Sequence, residues 1–209
     1  MALFTLLELF DVVIMSALMG IIFFRFFSGF NVFKKHNYGN FYQKQWFNWS
    51  DFMFSISLIV PAIVLHELGH KFVAMGLGYE ATFHSPISLQ HILNPFSIFS
   101  DFFAMLIVIA LISSLLGSSF LFFVPAYVSF SALAGPFQQM LIAFAGPGVN
   151  LILWFGAKQL IKMNKIKHKY VPFAIVTSKI NKLLFIFNMI PIPGFDGSKV
   201  LMGLVNWLF

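Results

Sequence analysis

Residues 52–77 read FMFSISLIVPAIVLHELGHKFVAMGL, an apolar run that contains the sequence His66-Glu67-Leu68-Gly69-His70. A helix that crosses the hydrocarbon core of a bilayer needs about 20 apolar residues, and this run reaches that length. Further apolar runs cover residues 10–30, 102–126, 140–161 and 171–193. We therefore predict an all-α polytopic membrane protein in which about four to five transmembrane helices surround the HELGH sequence.

The composition also favours a membrane protein. Of the 209 residues, 59% are hydrophobic and only 10% are charged, whereas soluble domains average about 45–50% and 25%. This balance excludes a disordered chain and a soluble enzyme with an ordinary charged surface. The net charge of +6 does not indicate a nucleic-acid partner, because 30 phenylalanines outnumber the 13 lysines and arginines. These basic residues fall in short segments between apolar runs, where they suit contact with the headgroups of a lipid bilayer.

The length indicates a single membrane-embedded domain over residues 1–209. We expect its core at residues 52–197, preceded by an N-terminal span and a basic loop within residues 1–50. We expect a multi-pass integral protein, most simply of the cell membrane.

The apolar run at 102–126 allows two interpretations, because Gly117-Ser118-Ser119 interrupts it. It is either one spanning helix, or a re-entrant helix that ends near Leu116 and returns as an extended segment at 120–131. Polar and apolar residues alternate at 79–85, which predicts a short strand. Short edge strands are therefore expected beside the helices.

The sharpest chemical signal is the HELGH sequence. Residues four apart on a helix lie on nearly the same face, so the imidazoles of His66 and His70 point at one spot, as a shared Zn²⁺ requires. Glu67 lies about 100° round the helix, where it reaches a water on the metal as a general base. The chain has no cysteine, so His and carboxylate groups must hold the ion. We predict one zinc ion per chain.

A catalytic zinc takes three protein ligands and keeps one position open for water. The acidic candidates outside the motif are Glu8, Asp11, Asp51, Glu80, Asp101 and Asp196. We interpret Glu8 and Asp11 as interfacial residues at the start of the first span. Asp51 lies more than about 20 Å from His66 along the same helix, and Glu80 follows the end of that helix.

Asp196 comes after Pro191 and Pro193, which break a helix. Broken helix at membrane depth is tolerated where it lines a cavity or is buried in protein. The spacing therefore favours Asp196 as the third ligand, and an ordinary surface turn stays the alternative.

Three motifs, in the same order, resemble the site-2 protease family of intramembrane zinc metalloproteases. They are HELGH at 66–70, Ala145-Gly146-Pro147-x-x-Asn150, and Asn188-x-x-Pro191-x-Pro193-x-x-Asp196-Gly197. The resemblance implies that His66, His70 and Asp196 bind zinc and that Glu67 is the catalytic base.

The same resemblance implies a substrate-binding set made of Asn188, Pro191 and Pro193, to which we add Asn150. These residues would help to receive an unwound substrate. The implied activity is regulated intramembrane proteolysis, in which peptide bonds of membrane-embedded proteins or peptides are hydrolysed. The extended segments at 79–85 and 120–131 suit pairing with such a substrate by strand addition, and residues 126–131 suit it better because they are apolar and uncharged.

Two other functional classes stay open as alternatives. The first is a metal-binding membrane protein without protease activity, such as a transporter or a substrate-binding scaffold. A transporter should show paired halves, and the sequence shows no internal repeat; a scaffold would be expected to lose Glu67 or a ligand. The second is a zinc hydrolase that acts on lipid, which the proline-rich break suits less well than it suits a peptide. The natural substrate, membrane orientation and oligomeric state are left open.

Overall fold

The computed structural model of the protein describes residues 4–31, 47–116, 127–130 and 134–209. Within these ranges the chain forms helices and two short strands. In chain order they are α1 Leu6–Phe27, α2 Trp49–Gly76, β1 Ala81–His84, α3 Leu89–Leu93, α4 Phe102–Leu115, β2 Tyr127–Phe130, α5 Pro136–Lys162, α6 Val171–Asn188 and α7 Asp196–Leu208, with 3₁₀ turns at Ser28–Phe30, Pro95–Ser100 and His168–Tyr170.

Four helical segments are long and apolar enough to cross a membrane. They are Leu6–Phe30, Trp49–Gly76, Pro136–Lys162 and His168–Asn188. Their exposed surfaces carry many large apolar side chains, as helices in contact with lipid do. The prediction of an all-α polytopic membrane protein is confirmed.

The helix α2 lies at the centre of the bundle. It packs against α1 on one side and α5 on the other, and α5 in turn packs against α6 and α7. The contact between α2 and α5 is close because Gly69 has no side chain. A Cβ atom there would lie 2.8 Å from both the Ala145 carbonyl oxygen and Val149 Cγ2. Small residues of this kind let membrane helices approach each other, and here they bring α5 against the HELGH face.

The apolar run at 102–126 begins with α4, which ends at Leu115. A helix of 14 residues is about 21 Å long, which is shorter than the roughly 30 Å hydrocarbon core. The strand β2 follows at Tyr127–Phe130, inside the segment predicted to be extended. This arrangement favours the re-entrant interpretation over a single span; residues 117–126 lie outside the described residues.

The two strands form a small antiparallel sheet in which Phe83 is the register partner of Val128. The outer edge of β1 is occupied by acidic side chains of α1. Glu8 Oε1 accepts a hydrogen bond from the Phe83 amide at 2.7 Å, and Asp11 Oδ2 accepts one from the Ser85 amide at 3.2 Å. In the part of the chain that the structure describes, the edge formed by β2 is the one left for a further strand.

The positions of Glu8 and Asp11 in the sequence suggested that they lie at the membrane interface. In the structure both are instead buried inside the protein. Glu8 forms an ion pair with Lys71, the residue that follows the HELGH sequence on α2. This pair could not be recognised in the sequence because its members lie on different helices and meet only when α1 packs against α2.

Candidate metal centre

The face of α2 that packs against α5 carries the HELGH side chains. His66, Glu67 and His70 are all buried. The spacing of one helical turn brings the two imidazoles together, with 3.1 Å between their Nε2 atoms. This is the arrangement that the spacing of the two histidines predicted.

Asp196 reaches the same point from the start of another helix. The helix α6 ends at Asn188, the chain turns through Gly194 with a positive φ of 100°, and α7 begins at Asp196. Asp196 Oδ2 lies 3.1 Å from His66 Nε2 and 3.2 Å from His70 Nε2. The predicted trio thus forms one cluster, with all its potential ligand atoms within 4.8 Å of one another.

Hydrogen bonds behind the imidazoles determine which ring nitrogens face the cluster. His66 Nδ1 lies 2.5 Å from Asn150 Oδ1, and His70 Nδ1 lies 2.6 Å from the Ile142 carbonyl oxygen. A carbonyl oxygen only accepts, so each Nδ1 carries the proton and donates it. Each Nε2 therefore has its lone pair directed at the gap, as in histidines that bind metal ions.

A cation fits this gap better than a direct contact among the three groups. Two imidazole lone pairs and a carboxylate oxygen face one another, and a metal ion would be bound by all three. In a tetrahedral site with bonds of about 2.0–2.1 Å, ligand atoms stand about 3.3 Å apart, close to the 3.1–3.2 Å separations here. Burial by itself raises the pKa of the Asp196 carboxyl, but the two imidazoles beside it hold that pKa below its usual range. The carboxylate is thus in the ionised form that binds metals.

The gap also depends on a residue with no side chain. A Cβ atom at Gly146 would collide with His70 Nε2 and would lie 2.6 Å from His66 Nε2. Glycine at this position of α5 therefore leaves room for an ion where any other residue would put carbon. The residues present fit a zinc ion held by two histidines and one aspartate.

A cavity of about 50 Å³ opens beside the cluster, which is enough space for a water molecule. Its walls come from α2, β2, α5, the end of α6 and the start of α7. They are formed by His66, Glu67, His70, Tyr127, Val128, Ala143, Asn188, Gly194, Asp196 and Lys199. Glu67 Oε2 is buried and has no hydrogen-bond partner among the described residues. A carboxylate oxygen in that position is free to accept a proton from a water molecule in the cavity.

Comparison with known proteins places the chain among zinc metalloproteases. It is 30% identical over 162 residues to "Putative zinc metalloprotease YwhC" of Bacillus subtilis, an alignment that covers 72% of this chain and 68% of that protein. It is 31% identical over 156 residues to "Putative zinc metalloprotease MJ0611" of Methanocaldococcus jannaschii, which covers 74% and 73%. The chain belongs to this metalloprotease family. No protein-family model and no solved structure matches it.

Asp51, Glu80 and Asp101, the other acidic candidates in this metalloprotease, do not belong to the cluster. Asp51 accepts a hydrogen bond from Asn31 Nδ2 at 2.8 Å. Asp101 caps α4 by accepting from the amide of Phe103 at 2.9 Å, and Glu80 is exposed. Among the residues described, Asp196 is the carboxylate that the fold brings to the two imidazoles.

The four predicted substrate-binding residues lie in different environments. Asn188, at the end of α6, lines the cavity. Pro191 and Pro193 are exposed in the turn between α6 and α7. Asn150 is completely buried behind His66, where it touches the imidazole rather than the cavity. Contact between these residues and a substrate stays a prediction.

Among the cavity-wall residues that the sequence analysis did not predict as site residues, Lys199 and Tyr127 carry polar side-chain groups. Lys199 lies three positions after Asp196 on α7, a spacing that puts both side chains on one helical face; that spacing was a usable signal. Tyr127 comes from β2, inside the segment expected to pair with a substrate, but it was not predicted as a residue of the metal centre. Burial, followed by the charges of Asp101 and Asp11, raises the pKa of the Tyr127 phenol, so at neutral pH the group is a hydrogen-bond donor.

Proposed function

We propose that this protein is an intramembrane zinc metalloendopeptidase of the site-2 type, which hydrolyses peptide bonds of membrane-embedded protein substrates in the cell membrane. The observation that carries the proposal is the meeting of His66, His70 and Asp196, with Glu67 beside them, within a bundle of membrane-spanning helices. The relatives support the metalloprotease part of the proposal through their names. The position of the cluster inside the helical bundle supports the intramembrane part.

The three donors that would hold the zinc are His66 Nε2, His70 Nε2 and Asp196 Oδ2. A zinc ion held there would supply Lewis acidity, which makes water nucleophilic near neutral pH and polarises a carbonyl. Glu67 accepts the proton of the attacking water on Oε2, which has no hydrogen-bond partner among the described residues, and delivers it to the leaving amine. Asn150 and the Ile142 carbonyl hold the imidazoles in their orientation while this occurs.

A substrate helix must unwind before its peptide bond can be attacked, since its backbone groups are paired within the helix. The sheet offers one place where the freed backbone could pair. The outer edge of β1 is occupied by Glu8 and Asp11, whereas β2 forms the other edge, and its Tyr127 and Val128 line the cavity. Strand addition to β2 would therefore present the substrate beside Glu67.

The decisive variant is Glu67→Gln. It keeps the shape of the side chain but cannot accept a proton, so cleavage should fall at least about 100-fold, while zinc remains at about one ion per chain. The test compares the membrane proteomes of cells that express the wild-type protein or Glu67→Gln, and looks for intact substrates that accumulate and for cleavage products that disappear. Zinc is measured by elemental analysis of the purified proteins.

Two results would contradict the proposal in different ways. Wild-type protein without zinc would remove the metal from the mechanism. Zinc-loaded wild-type protein that leaves the same membrane proteome as Glu67→Gln would instead support the non-proteolytic alternative, a metal-binding membrane protein that carries or retains segments it does not cut.

A further inference from the structure

A hydrogen-bonded network of buried amide side chains leads from α6 to the metal centre. Asn181 Nδ2 donates to the Thr177 carbonyl oxygen at 2.9 Å. Asn150 Nδ2 donates to Asn181 Oδ1 at 2.9 Å and to the Ala62 carbonyl oxygen at 3.1 Å. His66 Nδ1 then donates to Asn150 Oδ1 at 2.5 Å. This network joins three helices, because Asn181 is on α6, Asn150 on α5 and His66 on α2.

Two backbone carbonyls determine the direction of every hydrogen bond in this network. The Thr177 carbonyl accepts only, so the NH₂ group of Asn181 must face it and Asn181 Oδ1 must face Asn150. The Ala62 carbonyl and Asn181 Oδ1 are likewise acceptors, so both hydrogens of the Asn150 NH₂ group are used. Asn150 Oδ1 is then left for His66, whose Nδ1 must carry the proton.

Burial makes the orientation of these two amides strict. Asn150 and Asn181 are 0% and 1% exposed, so a reversed amide could not exchange its lost hydrogen bonds for bonds to bulk water. An Asn150 amide turned by 180° would point an NH₂ group at His66 and an oxygen at two acceptors. Such buried, unsatisfied polar groups cost about 1–3 kcal/mol each. The hydrogen-bonded arrangement is therefore strongly preferred over the reversed one.

From this arrangement we infer that Asn181 is a positioning residue for the metal centre. It orients the amide of Asn150, and through Asn150 it keeps the proton of His66 on Nδ1 and the lone pair on Nε2, where a metal ion binds. Asn181 itself belongs neither to the three-residue cluster nor to the cavity lining. The inference rests on the proposed function only for the identity of the metal.

The test compares the variants Asn181→Leu and Asn181→Asp. Leucine fills a similar volume but cannot accept a hydrogen bond, so the Asn150 amide loses its orientation and zinc affinity should fall by about tenfold, the lower end of the range for residues that orient metal ligands. A protonated aspartate in this apolar site donates to the Thr177 carbonyl and accepts from Asn150, so Asn181→Asp should recover most of the affinity. Affinity is measured in detergent by competition for zinc with a chelator of known affinity.

The matched control is Ser178→Ala. Ser178 Oγ donates to the Trp154 carbonyl at 3.3 Å, so this variant also removes a side-chain hydrogen bond between α6 and α5, but one with no link to His66. It should bind zinc as tightly as the wild-type protein. Equal losses in Ser178→Ala and Asn181→Leu would mean that Asn181 acts only by holding the two helices together, and would overturn the inference.

A double-mutant cycle tests whether Asn181 acts through Asn150. If it does, Asn150→Leu and the double variant Asn150→Leu/Asn181→Leu should bind zinc with the same affinity, since the second change has nothing left to disturb. Losses that multiply would contradict the inference. ¹⁵N NMR of the metal-free protein gives a readout that needs no zinc: His66 should be protonated at Nδ1 in the wild type and a mixture of tautomers in Asn181→Leu. An unchanged Nδ1 proton in Asn181→Leu overturns the inference, whereas a failure of Glu67→Gln to affect cleavage contradicts only the proposed protease activity.

Discussion

Asp196 brings a carboxylate to the metal centre from a helix start that lies 130 residues after His66. Its Oδ2 is within 3.2 Å of both Nε2 atoms, so it has the position of a ligand in the structure. Asp196→Asn should reduce zinc content well below one ion per chain, because an amide is a poorer donor than a carboxylate and the two imidazoles would hold the ion almost alone. Asp196→Glu should restore zinc only in part, since the added methylene displaces the oxygens at a site with strict distances.

Elemental analysis of the purified variants measures this effect. Asp101→Asn is the control, because it makes the same chemical change at the start of another helix. Asp101 caps α4, where its carboxylate accepts backbone hydrogen bonds. The control variant should retain about one zinc. Full zinc content in Asp196→Asn would mean that another acid completes the site.

Gly146 determines whether there is space for the ion. A methyl group there would collide with His70 Nε2 and lie 2.6 Å from His66 Nε2, so Gly146→Ala should abolish zinc binding even though alanine favours a helix. Gly148→Ala, on the same helix, is the matched control, since its Cβ would make an ordinary 3.5 Å contact with Phe144 Cε1. Measured zinc should fall in the first variant and not in the second. Normal zinc in Gly146→Ala would mean that α5 does not approach the imidazoles this closely.

At the scale of whole elements, Glu8 joins α1, α2 and β1. Its carboxylate accepts from the Phe83 amide at 2.7 Å and pairs with Lys71, and both members of the ion pair are less than 4% exposed. Removing one member of a buried ion pair leaves the other charge without compensation and costs about 3–5 kcal/mol. We therefore expect Lys71→Met and Glu8→Gln each to lower the thermal unfolding temperature in detergent.

The double variant Glu8→Gln/Lys71→Met should be less destabilised than the sum of the single variants, because neither charge is then left alone. Additive losses in unfolding temperature would indicate that the two residues act independently. Lys162→Met provides a control, as this lysine is in the exposed last turn of α5 and should leave the unfolding temperature unchanged.

At the scale of the molecule, a bound zinc would connect the start of α7 to the centre of α2. A ligand that binds the folded protein alone stabilises it by about 2.7 kcal/mol when its concentration is 100 times its Kd. Removal of zinc by a strong chelator should therefore lower the unfolding temperature, and added zinc should restore it. The double variant His66→Ala/His70→Ala should show one unfolding temperature regardless of chelator. A chelator effect of equal size in that variant would place the stabilising metal elsewhere.

The sequence alone determined the features that depend on neighbouring residues. Long apolar runs predicted the membrane-spanning helices, since a span is defined by its length and composition. The i, i+4 spacing predicted that His66 and His70 converge, because helix geometry alone places them on one face. The Gly-Ser-Ser break made an early end of α4 one of two interpretations, and alternation predicted β1. The proline break favoured Asp196 as the third ligand, and the resemblance of its surrounding motif to a known family strengthened that assignment, but local geometry alone could not bring Asp196 to the histidines.

The tertiary structure decided which distant groups meet. Glu8 and Lys71 form an ion pair only because α1 packs against α2. The role of Asn181 requires three helices to stand close enough for amides to touch, and nothing near it in the sequence indicates that contact. The occupied outer edge of β1 likewise depends on where α1 lies. These features rest on distances between elements, which packing sets and which no local pattern of residues records.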